Sequence, residues 1–275
     1  MNVSTALQQA VELLEQDHIV APRLTAEVLL AHALRRERAY LYAHPERELT
    51  SVEQLHYGRY LHERLKRKPT QYITGRQEFH GLEFRVTPAV FIPRPETEMV
   101  VGTALDHAAG AERVVDVGTG CGCLAVTLQK TWARATVFAS DVSTAALEVA
   151  RENARTLDAP VRFFCGDLLD ACRDRSLDLI VSNPPYIPEG SGLPAEVRDY
   201  EPSIALFGGP DGLAFYKDLL RAAPRVLRPR GWLIVEIGYD MRPKIEALPG
   251  EQWSESKTIQ DLAGLDRVMM WQKKG

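Results

Sequence analysis

Four consecutive residues, Asn183-Pro184-Pro185-Tyr186, carry the groups needed to hold a planar amino group still. Such a group must have its hydrogens committed to acceptors, its nitrogen turned toward an electrophile and its plane covered. Asn183 offers a side-chain carbonyl, and Pro184 a main-chain carbonyl on a ring that fixes φ and helps hold the loop. Tyr186 supplies an aromatic face. Two adjacent prolines can also make a rigid turn and nothing more, so the reading depends on what precedes them.

What precedes them is Val114-Val115-Asp116-Val117-Gly118-Thr119-Gly120-Cys121-Gly122, a strand running into a glycine turn and then into Leu124-Ala125-Val126. Glycines let a backbone approach a ligand closely, but this string alone also suits a nicotinamide cofactor or a bare strand-to-helix turn. Two residues oppose a dinucleotide. The spacing for one requires glycine at position 123, which is Cys123, and Asp116 puts a carboxylate where a pyrophosphate would lie. S-adenosylmethionine has no phosphate and carries an ammonium, so the charge sign favours this sulfonium cofactor. Asp141 closes the next strand at about 20 residues' distance, where an acidic side chain binds ribose hydroxyls; a cap on the helix near Ser143 is the other reading. Asp167, in Cys165-Gly166-Asp167-Leu168, could accept from an adenine amino group.

These residues need a scaffold, and its pattern is visible. From about residue 111, strand, turn and helix alternate, which predicts a mostly parallel sheet with helices on both faces. Strands are expected at 112–117, 135–140, 160–164, 177–182 and 231–237, and helices near 121–130, 143–157 and 213–227. Residues 253–260 and 265–272 form a closing antiparallel pair. In such sheets ligands bind at the carboxyl ends of the strands near the topological switch point, which is where the motifs fall. Residues 1–68 are expected to be a helical domain: Leu7, Ala10, Val11 and Leu14 recur at helical spacing, as do Leu55, Leu61 and Leu65. Its last helix opens on the capping box Thr50-Ser51-Val52-Glu53 and stops at Lys66-Arg67-Lys68, which complements the helix dipole. Residues 69–93 are expected to be a linker holding a β-hairpin around His80-Gly81, with Pro95 opening the first helix of a catalytic domain over 94–275.

Length and composition agree with two domains. Hydrophobic residues make up 45% and charged residues 25% of the 275, the balance of an ordinary soluble globular protein. The first twenty residues lack the basic and apolar regions of a signal peptide and no window reaches a membrane span, so a cytoplasmic protein is expected. Four cysteines without a Cys-x-x-Cys pair indicate neither a zinc site nor a disulfide framework. A net charge of −4 argues against a large nonspecific affinity for nucleic acid.

The order Phe91-Ile92-Pro93-Arg94-Pro95-Glu96-Thr97-Glu98, then the glycine string, then Asn183 to Tyr186 with Ile187, resembles the release-factor glutamine N5-methyltransferases, the PrmC/HemK family. Gln71-Tyr72-Ile73-Thr74-Gly75 and Gly209-Pro210-Asp211-Gly212-Leu213 match as well, so the resemblance covers nearly the whole chain. It implies an S-adenosylmethionine-dependent methyltransferase fold of about seven strands, Rossmann-like, behind a helical domain. Because residues 1–68 carry no recognisable chemistry and the motifs all lie beyond residue 90, that domain is expected to recognise the protein substrate, a stabilising cap being the other reading. It implies that Asp116, Gly118, Thr119, Gly120, Cys121, Gly122, Asp141, Asp167, Leu168 and Asn183 surround the cofactor. Asn183, Pro184, Pro185, Tyr186 and Ile187 would hold the target glutamine, with Phe91 and Arg94, and the catalytic work would fall to Asn183, Pro184 and Tyr186. The implied partner is a class 1 peptide-chain release factor, modified on a Gly-Gly-Gln loop by direct methyl transfer to the amide nitrogen. No nucleic acid, membrane or metal is expected, and the chain is expected to be monomeric. Leu168 stands where relatives often have an aromatic ring, so adenine stacking would be weaker or supplied by Phe164 or another ring; Cys121 also departs from the usual small residue. A nucleic-acid adenine N6-methyltransferase is the alternative, since adenine presents a planar amino group too, but this chain lacks a basic target-reading domain.

Overall fold

The computed structural model describes residues 1–275 and divides into two compact units. The first contains Met1–Arg76 together with Leu193–Tyr200. Its helices are α1 (Val3–Gln16), α2 (Pro22–Leu34), α3 (Arg38–Ala43), α4 (Ser51–Leu65) and α5 (Thr70–Thr74). Val3, Leu7, Ala10 and Leu14 bury one face of α1, which starts where the Asn2 side chain accepts the Thr5 amide at 2.9 Å. The α4 capping box forms as read: Thr50 Oγ1 accepts from the Glu53 amide at 3.2 Å, and Glu53 Oε2 accepts from the Thr50 amide at 2.8 Å. Leu61 is buried and Leu65 partly so, but Leu55 is exposed. Six residues at about 100° each separate Leu55 from Leu61, which puts them on different faces. The basic trio does more than meet a dipole, because Arg67 donates to the Asp17 carbonyl at 2.7 Å and Lys68 pairs with Glu63 at 3.3 Å. Residues 193–200 complete this unit. Buried Arg64 donates to Glu196 Oε1 at 2.6 Å, and the Tyr200 hydroxyl donates to the Lys66 carbonyl at 2.7 Å.

The second unit contains Gln77–Gly192 and Glu201–Gly275. It opens with the hairpin β1 (Arg76–Phe79) and β2 (Leu82–Arg85), on either side of His80-Gly81. Pro95 starts a 3₁₀ turn, Pro95–Thr97, and α6 (Glu98–His107) follows. The alternation then runs β3 (Arg113–Val117), α7 (Cys123–Thr131), β4 (Thr136–Asp141), α8 (Thr144–Thr156), β5 (Arg162–Cys165) and β6 (Leu177–Ser182). A helix at Ala214–Val226 leads to β7 (Leu227–Glu236), and β8 (Lys257–Gln260) and β9 (Asp266–Gln272) close the chain. The seven-stranded sheet has the order β5-β4-β3-β6-β7-β9-β8. β3 to β7 pair in parallel, whereas β9 runs antiparallel to both β7 and β8. The chain moves outward from β3 to β5 and returns to β6 on the other side of β3, so the topological switch point lies between β3 and β6. The buried side chains Val115, Ile180, Leu219, Leu233 and Trp271 belong to the core on one face of this sheet. No helix is long and apolar enough to cross a membrane.

Candidate active site

β3 and β6 are adjacent and in register, Asp116 opposite Val181, so the glycine loop after one and the Asn-Pro-Pro-Tyr loop after the other leave the sheet side by side. Ser182 Oγ ties them by donating to the Val117 carbonyl at 2.6 Å. Together they bound a cavity of about 500 Å³. Asp116, Gly118, Thr119, Gly120 and Cys121 line it from β3, Asp141 from β4, and Asp167 and Leu168 from the loop after β5. Asn183, Pro184, Pro185, Tyr186 and Ile187 line it from β6, and Phe91 from the segment before α6. Two expected residues stand outside the lining. Gly122 is used for packing: at φ +86° a Cβ would lie 3.2 Å from that of Ala150 on α8. Arg94 sits over the Phe91 ring, 4.4 Å from its centroid, and pairs with buried Glu201, so it acts on the cavity through Phe91.

The end of the cavity at the glycine loop is acidic and partly unsatisfied. Asp116 is buried; its Oδ2 accepts from the Thr119 hydroxyl at 2.6 Å and the Ala125 amide at 3.2 Å, while Oδ1 has no partner. Burial pushes its carboxyl up to about 7, against those two hydrogen bonds and helped by the nearby Asp141 charge. An ammonium group beside it would satisfy the orphan oxygen and restore the charge. Asp141 accepts from the Gly120 amide and the Ser143 amide, each at 2.9 Å. The cap of α8 is Ser143 itself, whose Oγ accepts from Ala146 at 3.1 Å, so Asp141 shapes the glycine loop and faces the cavity. These are the features that fit an S-adenosylmethionine: an unpaired carboxylate for its ammonium, a glycine turn, and a second carboxylate at the neighbouring strand end. Leu168 lines the cavity with φ +45°; Phe164 does not line it, whereas Phe215, which like Phe164 packs against the core, does.

At the other end, the Asn183 side chain donates to Thr97 Oγ1 at 3.1 Å, which turns its carbonyl into the acceptor available to the cavity. The loop is backed by main chain: Ile187 donates to Leu206 at 3.0 Å, and Gly208 donates to Ile187 at 2.9 Å. Every side chain of the Arg94-Pro95-Glu96-Thr97-Glu98 string except the proline has a charged or polar partner: Arg94 with Glu201, Glu96 with Arg267 at 3.9 Å, Thr97 with Asn183, and Glu98 with the His80 amide at 2.8 Å.

The sequence reading did not single out Thr97, Glu201 or Asn153 as site-supporting residues. Glu201 also accepts from the Ile92 amide at 3.2 Å, and Asn153 donates to the carbonyls of Cys121 and Arg85, each at 2.9 Å. Their partners lie 32 to 109 positions away along the chain, beyond any local pattern.

Comparison with known proteins decides the family. Residues 5–75 match the PrmC N-terminal domain and residues 96–194 the methyltransferase small domain. The chain is 43% identical over 281 residues, 99% of each chain, to a release factor glutamine methyltransferase of Koribacter versatilis. It belongs to the release factor glutamine methyltransferase family. A second member, from Moorella thermoacetica, is 43% identical over 278 residues, 98% of each chain. Among solved structures, a methyltransferase from Pyrococcus furiosus superimposes with a TM-score of 0.55 at 22% identity, covering 72% of this chain and 91% of its own, which speaks to the fold alone. For a release factor glutamine methyltransferase, the cavity's two ends thus have distinct candidate occupants, a cofactor over the glycine loop and an amide against Asn183.

Proposed function

We propose that this chain transfers the methyl group of S-adenosylmethionine to the side-chain amide nitrogen of the glutamine in the Gly-Gly-Gln loop of class 1 release factors. The observation that carries the reading is the Asn183 side chain, whose amide hydrogens are turned to Thr97 and whose carbonyl is left for a donor in the cavity. Bound S-adenosylmethionine supplies an electrophilic methyl on a sulfonium. Asp116 and Asp141 attract and orient that cofactor through its ammonium and ribose, with Gly118 to Cys121 and Asp167 and Leu168 around it.

An amide nitrogen is a poor nucleophile because its lone pair is delocalised into its carbonyl. The site must fix geometry and draw electron density onto nitrogen, and proximity with orientation can supply roughly 7–11 kcal/mol. Hydrogen bonds from the target –NH₂ to Asn183 and to the Pro184 carbonyl would build negative charge on nitrogen, and the proton that the nitrogen loses on methylation would pass to water. Tyr186 and Phe91 cover the plane of the amide, and Arg94, held by Glu201, fixes the Phe91 ring. The helical unit carries none of these groups, and we assign it to recognition of the release factor. The same reading puts the chain in the cytoplasm, with translation.

The experiment is direct: incubate the protein with labelled cofactor and a release factor, and locate the methyl by peptide mass spectrometry. Label on the loop glutamine is expected. Label confined to nucleic acid in a mixed reaction would overturn the substrate assignment.

A further inference from the structure

The end of β7 and the residue after it, Leu233 to Ile237, are apolar except for Glu236, a carboxyl buried to 3% exposure. The register that pairs Ser182 with Val235 brings Glu236 abreast of Asn183 at the strand ends. One of its oxygens is buried with no hydrogen-bond partner. A buried carboxyl in an apolar strand costs stability, and none of the roles assigned above uses it. The groups that act on it are the Thr97 hydroxyl, Glu96, Arg267 and Arg94, and its charge is felt by Tyr186 and Tyr216. Burial raises the carboxyl to about 7, while the neighbouring Thr97 hydroxyl favours its charged form. Thr97, itself buried, is the residue that receives the Asn183 amide.

We infer that Thr97 and Glu236 are positioning residues that give the Asn183 amide its direction. The inference rests on the proposed role of Asn183. The two orientations of an asparagine amide fill the same space, so hydrogen bonds alone choose between them. Flipped, Asn183 would present donors to a target that is itself a donor. A threonine hydroxyl by itself does not prevent this, because its one hydrogen can be given to a flipped carbonyl. An ionised carboxyl is acceptor-only and takes that hydrogen. The Thr97 oxygen can then only accept, and the donor chain runs one way, from Asn183 to Thr97 to Glu236.

The test measures kcat, KM for the release factor and cofactor affinity in the full-length protein. Thr97→Val, which keeps shape and removes the hydroxyl, and Glu236→Gln, which can donate to Thr97 and free its hydrogen, should each lower kcat by about 10- to 100-fold, the scale of losing a group that orients a reacting-site residue. KM and cofactor affinity should stay within about twofold, which also reports that the variant is folded. Thr97→Ser should recover most of the loss. In an Asn183→Ala background, Thr97→Val should cost nothing further, because both act through one contact. Undiminished kcat in Thr97→Val, or losses that multiply in the double variant, would overturn the chain while leaving the function intact. A wild-type protein that leaves the glutamine unmethylated would instead overturn the function, and the chain with it. If Thr97→Val loses cofactor affinity through misfolding, Glu236→Gln decides the matter by the same measures.

Discussion

On the proposed reading, Asn183 and Asp141 each perform two tasks with one short side chain, and their variants separate the tasks. Removing the carbonyl that accepts from the target in Asn183→Ala should reduce single-turnover methyl transfer by roughly 10²-fold or more, the cost of one preorganised transition-state contact. Cofactor affinity should hold, and Asn183→Asp should retain partial activity; wild-type transfer by the alanine variant would assign the amide to another group. If Asp141 binds the ribose as proposed, Asp141→Ala removes hydrogen bonds to two ribose hydroxyls, each worth roughly 1.5–3 kcal/mol to a charged acceptor. It also frees the Gly120 amide, so affinity should fall in both alanine and asparagine variants, furthest in alanine. An unchanged dissociation constant, read by titration calorimetry, would leave Asp141 with its turn alone. Side chains whose chemistry is written in their own motif are legible as candidates: the carbonyl of Asn183 and the carboxylates of Asp116 and Asp141 stand out in the sequence, and the structure brings all three residues to one cavity. Thr97 is not, because its importance lies in a partner 86 positions away. Glu236 did leave a trace, a single acidic residue ending the apolar run Leu233-Ile234-Val235.

Among the elements, the segment Gly208–Gly212 acts as a template for the Asn-Pro-Pro-Tyr loop. A Cβ on Gly208 would stand 2.5 Å from the Pro185 carbonyl oxygen and 2.8 Å from that of Gly212, both main chain and unable to swing aside. Gly208→Ala should therefore displace the loop, lowering turnover by about 10-fold or more for a shift well under 1 Å and costing roughly 1–3 kcal/mol of stability. Gly192, with nothing within 4 Å of its missing Cβ, is the control, and its alanine variant should match wild type in both measurements. Equal behaviour of the two variants would deny the template. The strands and helices themselves were readable because burial imposes period two on one and 3.6 on the other. What the pattern could not convey was membership. Residues 193–200 hold a single helical turn, Ala195–Arg198, too short to show a period, and the contacts that assign them to the helical unit come from Arg64 and Lys66. α5 was likewise hidden in a five-residue stretch that reads as linker.

The two units should respond to pH with opposite sign. In the second unit Asp116 and Glu236 have folded values near 7, well above the usual carboxylate range, because both are buried. Between about pH 4 and 7 the folded protein holds protons that the unfolded chain has released, so stability falls as pH rises through that window, by up to about 1.4 kcal/mol per pH unit for each group, and levels off above it. In the helical unit, Glu27 and Glu53 are held at about 2. Burial would raise Glu27, but hydrogen bonds from Tyr42, Arg23 and Arg38 outweigh it, and Arg47 leads the causes at Glu53. Their contribution is complete above the ordinary carboxylate range and is lost as pH falls toward 2. All four tryptophans, at 132, 232, 253 and 271, belong to the second unit, so fluorescence melting reports it alone. The tryptophan midpoint should drop between about pH 4 and 7, and Asp116→Asn with Glu236→Gln should flatten the drop; a flat wild-type profile would mean that both carboxyls ionise without penalty. The discontinuous helical unit also has a history during synthesis. Its helices are made first, yet the whole of Gln77–Gly192 must follow before Glu196 exists to meet the Arg64 guanidinium. At about 5–20 residues per second that delay is roughly 6–23 s. By its end, four of the seven strands of the second unit's sheet are already made while the first-born unit still lacks the partner of its Arg64 guanidinium, so the two units are completed in overlapping spans of synthesis and not one after the other.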